Sequence, residues 1–443
     1  MSDMAEHILE EVRKHSVRFV IMQFMDILGN IKNVTIPAAK LYKAIDDGVV
    51  FDGSSIVGYA TIEESDMRAY PDVRTFRILP WTENTAKTAI MICDICDAKE
   101  NRFSGDPRYV LQRTLDLAKE KGWVLNAGPE YEFFLFKLDG NGKPTTIPAD
   151  SGRYFDLLPM DSGEEVTRKT ALHLDQLSFD VEAFHHEAAP GQHEIDLRYA
   201  DALTSADRVL TLKYALRTVA LEHGLYATFM PKPLPGINGS GMHVHQSLAD
   251  SSGKDVFYNE TGKWQLSDVC RWYIGGVLKY ARETCAILAS WTNSYKRLVP
   301  GYEAPVYISW ANMNRSALIR VPAGRKNRTR IEVRNPDPSG NPYLQYSVML
   351  AAGLRGIEYK IEPPEPVETD IYRLSTKDRQ RLSVGTLPEN LSEALDEMEE
   401  SELMRDTLGA HIFTHFLYMK RKEWDEYRTQ VTEWEVKNFL PVL

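Results

Sequence analysis

The chain has 443 residues, 43% of them hydrophobic, with a net charge of −11 and a pI of about 5.6. An acidic chain without a basic face is a poor partner for nucleic acid, and no apolar run reaches the ~20 residues of a membrane-spanning helix. Four cysteines in a chain of this length build no disulfide framework, so a cytoplasmic, soluble protein of two or three domains is expected.

"MSDMAEHILEEVRKHSVRFV" predicts an amphipathic helix with acidic residues rather than a signal peptide. "FVIMQFMDILGNIKNVTIPAAKL" alternates on both sides of Gly29-Asn30, the pattern of a hairpin. "TFRILPW" and "TAIMICDI" read as further strands, so the first hundred residues are β-rich. Cys93 and Cys96 form a CxxC inside the second of these. The strand context favours buried free thiols over redox or metal chemistry. Asp106 followed by Pro107 is a helix start, and the helical period continues to Gly122. A domain boundary near residue 103 follows, dividing the chain into 1–103 and 104–443.

Beyond it, strands are predicted at "EYEFFLF", "HEIDLR", "GMHVHQSL" and "RIEVR". Helices are predicted at "ADRVLTLKYALRTVALEHG", "DVCRWYIGGVLKYARETCAILAS" and through the charged C-terminal part. "IEPPEPVETD" reads as a Pro-rich turn. Strands and helices do not alternate strictly, so the fold class expected is α+β.

The charged residues of these strands carry the chemistry. In "GPEYEFFLF", Glu130 and Glu132 are two residues apart, so in a strand they share a face. At strand rise they lie ~6–7 Å apart. At an effective dielectric of roughly 20 their repulsion is about 2–3 kcal/mol. His243 and His245 share a face of "GMHVHQSL", and Arg330, Glu332 and Arg334 share a face of "RIEVR". Glu187 and Glu194 flank the turn in "HHEAAPGQHEIDLR". Several such strands point to one polar cleft in which cations hold the carboxylates together. Donors that are mostly carboxylate oxygens suit Mg²⁺ or Mn²⁺ better than zinc, and paired ions of this kind clamp phosphoryl groups. A basic cluster, Arg315, Arg320, Arg325, Lys326, Arg328, Arg330 and Arg334, with Lys296 and Arg297, suits an anionic substrate bearing phosphate. No G-x-x-x-x-G-K-[ST] occurs, which excludes a P-loop enzyme.

"FDGSSI", "GPEYEFFLF", "APGQHEI", "NGSGMHVHQSL", "YKRLVPGYEAP" and "RIEVRNPDP" together resemble the type I glutamine synthetases, in family order and over nearly the whole chain. The resemblance implies an N-terminal β-grasp domain and a C-terminal α+β catalytic domain with a curved antiparallel sheet lining the site. It implies that ATP phosphorylates the side-chain carboxylate of L-glutamate and that ammonia, arriving as ammonium, displaces phosphate to give glutamine. It implies two to three Mg²⁺ or Mn²⁺ ions per site, one held by Glu132, Glu187 and Glu194 and a second by Glu130, His243 and Glu332. By the same motifs Asn238, Gly239, Arg297 and Arg334 are glutamate-side residues. Arg315 and Arg320 are phosphate-side residues, and His245, Ser247 and Arg330 are nucleotide-side residues. Asp52 is the ammonium-side acid, reaching a neighbouring subunit's site, and Glu303 closes over the intermediate. The family also implies a dodecamer of two hexameric rings with shared sites.

Departures concern regulation. The stretch after "PPEPVETD" lacks the longer insertion of the adenylylated subtype, and the context of Tyr372 does not match the modified tyrosine. The chain resembles the shorter α subtype of Gram-positive bacteria and archaea. Thr61 stands where those enzymes often carry the arginine used in glutamine feedback. Control by another route, such as 2-oxoglutarate or a PII-type protein, is the expectation. Three rival readings are a γ-glutamyl–amine ligase on the same scaffold, a non-catalytic structural member of the fold, and a phosphatase or ATPase with two metals. With Thr61 in place of arginine, activity assayed against rising glutamine is expected to show only weak inhibition. Strong inhibition at low glutamine would contradict this.

Overall fold

Apolar alternation in the first hundred residues builds a single sheet. In the computed structural model, which describes residues 3–59, 65–83 and 86–443, its strands run in the order Ile31–Pro37, Phe19–Met25, Thr88–Cys96, Asp66–Pro71 and Val49–Asp52. Thr61 lies outside the described residues. The first two strands form the expected hairpin, with Gly29 in the left-handed region at φ 88° and the Asn30 amide donating to Asp26 Oδ1 at 2.8 Å. The last strand then lies parallel beside the first, Phe19 opposite Thr88. This is a β-grasp arrangement. The helix Asp3–Lys14 buries Ile8 and Val12 in its core. "TFRILPW" is not the strand expected: Asp72 caps a 3-10 turn at Val73–Thr75 and Pro80 opens another, leaving only Arg77–Ile78 extended. Cys93 and Cys96 are buried free thiols.

The second sheet has ten strands. Its main path runs Trp310–Asn312, Ile319–Val321, Ile331–Val333, Met242–Asp250, Trp123–Leu138, Gln192–Leu197 and Val181–His186. Pairing along it is antiparallel except between the first two, which are parallel. The period of two splits each strand. Tyr131, Phe133, Leu135, Ile195, Met242, Val244, Ile331 and Val333 enter one apolar core, while the residues between them face the other way. That core is closed by the helices Pro107–Glu120, Ala202–Glu222, Asp268–Lys279 and Pro342–Glu358. The last two touch at glycines, where a Cβ on Gly276 would sit 2.1 Å from the Ala352 carbonyl oxygen. The single helix predicted over Asp268–Ser290 is two, Asp268–Lys279 and Ala281–Leu288, broken at Tyr280.

One buried arginine joins the N-terminal sheet to a helix packed on the second sheet. Arg108, beside the Asp106 cap and Pro107, donates to Asp207 at 3.0 and 2.8 Å, to Asp72 at 2.8 Å and to Asp94 at 2.5 Å. Asp72 and Asp94 belong to the N-terminal sheet region and Asp207 to the helix Ala202–Glu222. Against the upward push of burial, Arg74 and Arg108 hold the Asp72 carboxyl at about 2. Replacing Arg108 by Met leaves the buried Asp207 carboxyl without its guanidinium partner, while Asp72 keeps Arg74 and Asp94 keeps Arg102, at a cost of about 3–5 kcal/mol. Arg108→Met is therefore expected to lower the melting temperature by at least about 5 °C, measured by differential scanning fluorimetry.

Candidate active site

Strand register assembles the acidic face. Glu194 lies opposite Glu132, and Glu130 lies between Asp196 on one neighbour and His243 on the other. His245 pairs with Glu332, and Glu332 with Arg320. Residues from five strands thus form adjacent rows on one face of the sheet.

Hydrogen bonds set the state of each group. Arg330 Nε donates to His245 Nδ1 at 3.0 Å, so His245 carries its proton on Nε2 and donates it to Glu130 Oε1 at 2.6 Å. His243 Nδ1 approaches Glu130 Oε2 at 2.9 Å, which turns Nε2 toward Glu132. Burial pushes the Glu130 carboxyl up, but the two imidazoles prevail and hold it well below the usual carboxylate range. Burial pushes Glu132 up to about 7, against Arg297 and the Gly241 amide, which donates to it at 2.9 Å. Burial, with Glu132 adding, takes Glu187 to about 8. Burial, with Glu130 adding, takes Asp196 to about 7. Glu194 is pushed well up by burial and then by Asp196. Glu332 is held down despite burial, chiefly by His245, and receives hydrogen bonds from Arg320 and, at 3.1 Å, from Arg334.

Two cavities, of about 790 and 670 Å³, share Glu130 and Asp196 in their walls. The larger holds Glu132, Glu187, Glu194 and His243 together with Asn238, Gly239, Arg297, Glu303, Arg315, Arg320 and Arg334. The smaller holds His245, Ser247 and Arg330. Arg297 is buried and donates to the carbonyls of Arg334 and Asn335, each at 3.1 Å. Asn238 Nδ2 donates to Glu303 Oε2 at 3.1 Å. Asp52 is not brought in: it is exposed on the N-terminal sheet, accepts from Ser54 and Ser55, and lines neither cavity. Those bonds to Ser54 and Ser55 hold its carboxyl below the usual range.

Sequence reasoning missed further residues of this site, Asp196, Gln192, His185 and Tyr154 among them. Asp196 and Gln192 are two positions either side of Glu194, and His185 is two before Glu187, so the same period of two reaches all three. Gln192 Nε2 donates to Glu132 at 2.9 Å, and His185 Nε2 lies 3.2 Å from Glu194. Tyr154, in the wall of the larger cavity, carried no such signal. The opposite face of the same strands carries His186 and His193, whose Nε2 atoms meet Asp150 and Asp161 at 2.9 and 2.8 Å.

The donor set fits hard divalent cations. Ligand atoms of Glu130, Glu194 and His243 all lie within 4.8 Å of one another, as do those of His185, Glu187 and Glu194. These differ from the two expected sets in that Glu332 is engaged by two arginines and Glu132 by Gln192 and Gly241. Carboxyls raised in pKa by burial and by each other are what a divalent charge relieves.

Fold and site define an enzyme with a β-grasp domain beside an acidic cleft whose donors could hold a metal ion and whose wall carries arginines. The model of the glutamine synthetase catalytic domain matches residues 104–439, and that of the glutamine synthetase beta-Grasp domain matches residues 16–98. The chain is 51% identical to the glutamine synthetase of Methanosarcina mazei over 438 residues, 99% of this chain and 98% of that one. It is 48% identical to that of Clostridium saccharobutylicum, over 98% of each chain, and 47% to that of Thermotoga maritima, over 98% of this chain and 99% of that one. A solved GmaS/ADP complex superposes with a TM-score of 0.89 at 31% identity over 100% of both chains, and ligand-free GmaS with 0.88. The chain belongs to the glutamine synthetase family, of the shorter type found in archaea and Gram-positive bacteria. Its activity is the ATP-dependent formation of glutamine from glutamate and ammonia, and an amine ligase is not favoured. The family uses ATP and a divalent metal. Among the described residues no helix is long and apolar enough to cross a membrane.

A carboxylate with a raised pKa favours folding below its unfolded value near 4.5, and that contribution is lost as pH rises through the folded value. Glu132 and Glu187 therefore make the metal-free protein less stable as pH rises through about 7 to 8. Melting temperature without divalent ions is expected to fall from pH 6 to 8.5. Mg²⁺ or Mn²⁺ should offset the fall and bind more tightly at the higher pH; the same melting curves with and without the ion check both.

Proposed function

We propose that the two cavities are the two halves of one ligase site, with glutamate in the larger, the nucleotide in the smaller, and the transferred phosphoryl group between them beside Glu130. The observation that carries this reading is that the cavities share Glu130 and Asp196, while arginines and Asn238 line one side and His245, Ser247 and Arg330 the other.

Arg297, Arg334, Asn238 and Gly239 hold glutamate, two guanidinium groups matching its anionic charge. Arg315 and Arg320 face the phosphate end, where charge concentrates as the γ-glutamyl phosphate forms. His245, Ser247 and Arg330 hold the nucleotide side. The carboxylates proposed to hold two to three Mg²⁺ or Mn²⁺ ions are Glu132, Glu187 and Glu194 on one flank and Glu130 and Glu332, with His243, on the other. When bound, such ions neutralise the phosphate charge and polarise the transferring group. Glu303 covers the intermediate and excludes water. Asp52, exposed and outside both cavities of its own chain, acts at a neighbour's site as the acid that draws ammonium and relieves it of a proton.

That assignment needs an assembly with shared sites, and a dodecamer of two hexameric rings is proposed on the family resemblance. The domain division at residue 103, a cytoplasmic setting, and control by 2-oxoglutarate or a PII-type protein belong to the same proposal. Glu132→Ala is expected to keep the circular-dichroism spectrum and assembly size of the parent while losing at least about 10³-fold in glutamine formation. ATP turnover in the parent should require both glutamate and ammonium. Near-normal activity of Glu132→Ala, or turnover indifferent to glutamate, would contradict the reading.

A further inference from the structure

The loop between the helix Ser294–Arg297 and the strand Tyr307–Ile308 carries Glu303 in the left-handed region, φ 57°, just after Gly301 at φ 94°. Glu303 is exposed, but the next residue turns inward. Ala304 is 1% exposed, and its carbonyl accepts a hydrogen bond from the Tyr372 hydroxyl at 2.5 Å. Tyr372 belongs to the turn Ile371–Arg373, packs its ring 5.9 Å from that of Tyr307, and lines the larger cavity. The same segment grips the loop bearing Arg315. Asn314 Nδ2 donates to the carbonyls of Val367 and Thr369 at 2.9 and 2.8 Å, and the Ile371 amide donates to Ser316 Oγ at 3.2 Å. One short stretch therefore anchors both the Glu303 loop and the phosphate-side loop.

We propose that Tyr372 is a positioning residue that latches the Glu303 loop, so that the acyl phosphate meets ammonia rather than water. The inference rests on the site assignment above. In the wasteful branch a water oxygen attacks the γ-carbonyl carbon. A new carbon–oxygen bond forms, the carbon–oxygen bond to phosphate breaks, and glutamate, inorganic phosphate and a proton result. No glutamine forms, although one ATP has gone to ADP. An exposed loop with two left-handed residues has little reason of its own to hold one position. A hydroxyl reaching a buried carbonyl beside Glu303 supplies that reason.

The test is Tyr372→Phe, which removes only the hydroxyl, assayed in the intact assembly for phosphate released and glutamine formed in the same tube. The parent is expected to release close to one phosphate per glutamine. The variant should release about two or more at low ammonium, return toward one as ammonium is raised, and release no excess without glutamate. A ratio that stays at the parent value at all ammonium concentrations overturns the latch. So does an excess that persists at saturating ammonium or without glutamate, because that ATP was not hydrolysed through the acyl phosphate. A parent enzyme that releases no glutamate-dependent phosphate overturns the site assignment instead.

Discussion

The structure is governed by the mutual repulsion of carboxylates held at strand spacing. Glu130, Glu132, Glu194, Asp196 and Glu332 project from three strands, and Glu187 from the turn beside them, onto one face, where burial and their own neighbours raise four of the six. A flexible scaffold would let such groups separate. A sheet does not, because the rows are fixed by backbone pairing and the reverse face is locked in the apolar core. The cleft is therefore preorganised for positive charge, supplied from the protein by Arg297, Arg320 and Arg334 and from solution by divalent ions.

The remaining parts of the site divide by rigidity. Charge-bearing groups that must hold their spacing sit on strands: Glu130 is fixed by two imidazoles, one of them oriented by Arg330. His186 and His193, paired with Asp150 and Asp161, buttress the back of the strand that bears Glu194 and of the strand that ends just before Glu187. Glu303 and Arg315, which the proposed reading sets over the intermediate and at the phosphate, sit on loops. Both loops are tethered to a common segment near Tyr372.

The chemistry-bearing residues were legible in the sequence wherever they followed the period of two. Glu130 with Glu132, His243 with His245, and Arg330 with Glu332 and Arg334 announced a shared face before any coordinates. The same rule extended one step would have reached Gln192, Asp196 and His185. The short 3-10 turns within "TFRILPW" were not legible, because Asp72 and Pro80 terminate extension locally while the apolar residues still alternate. Nor was the break at Tyr280, which falls inside an unbroken helical period.

By itself the sequence determined the strand faces, the Asp106–Pro107 helix start, the hairpin at Gly29-Asn30 and, through its motifs, the family. These are local properties, set by side-chain alternation and backbone preference over a few residues. Tertiary structure alone decided which rows became neighbours, that Glu332 pairs with Arg320, that Arg108 joins the two domains, and that Tyr372 touches the chain beside Glu303. Such contacts link positions tens to more than a hundred residues apart, or depend on the register between strands, and no local pattern encodes the distance between groups that only packing brings together.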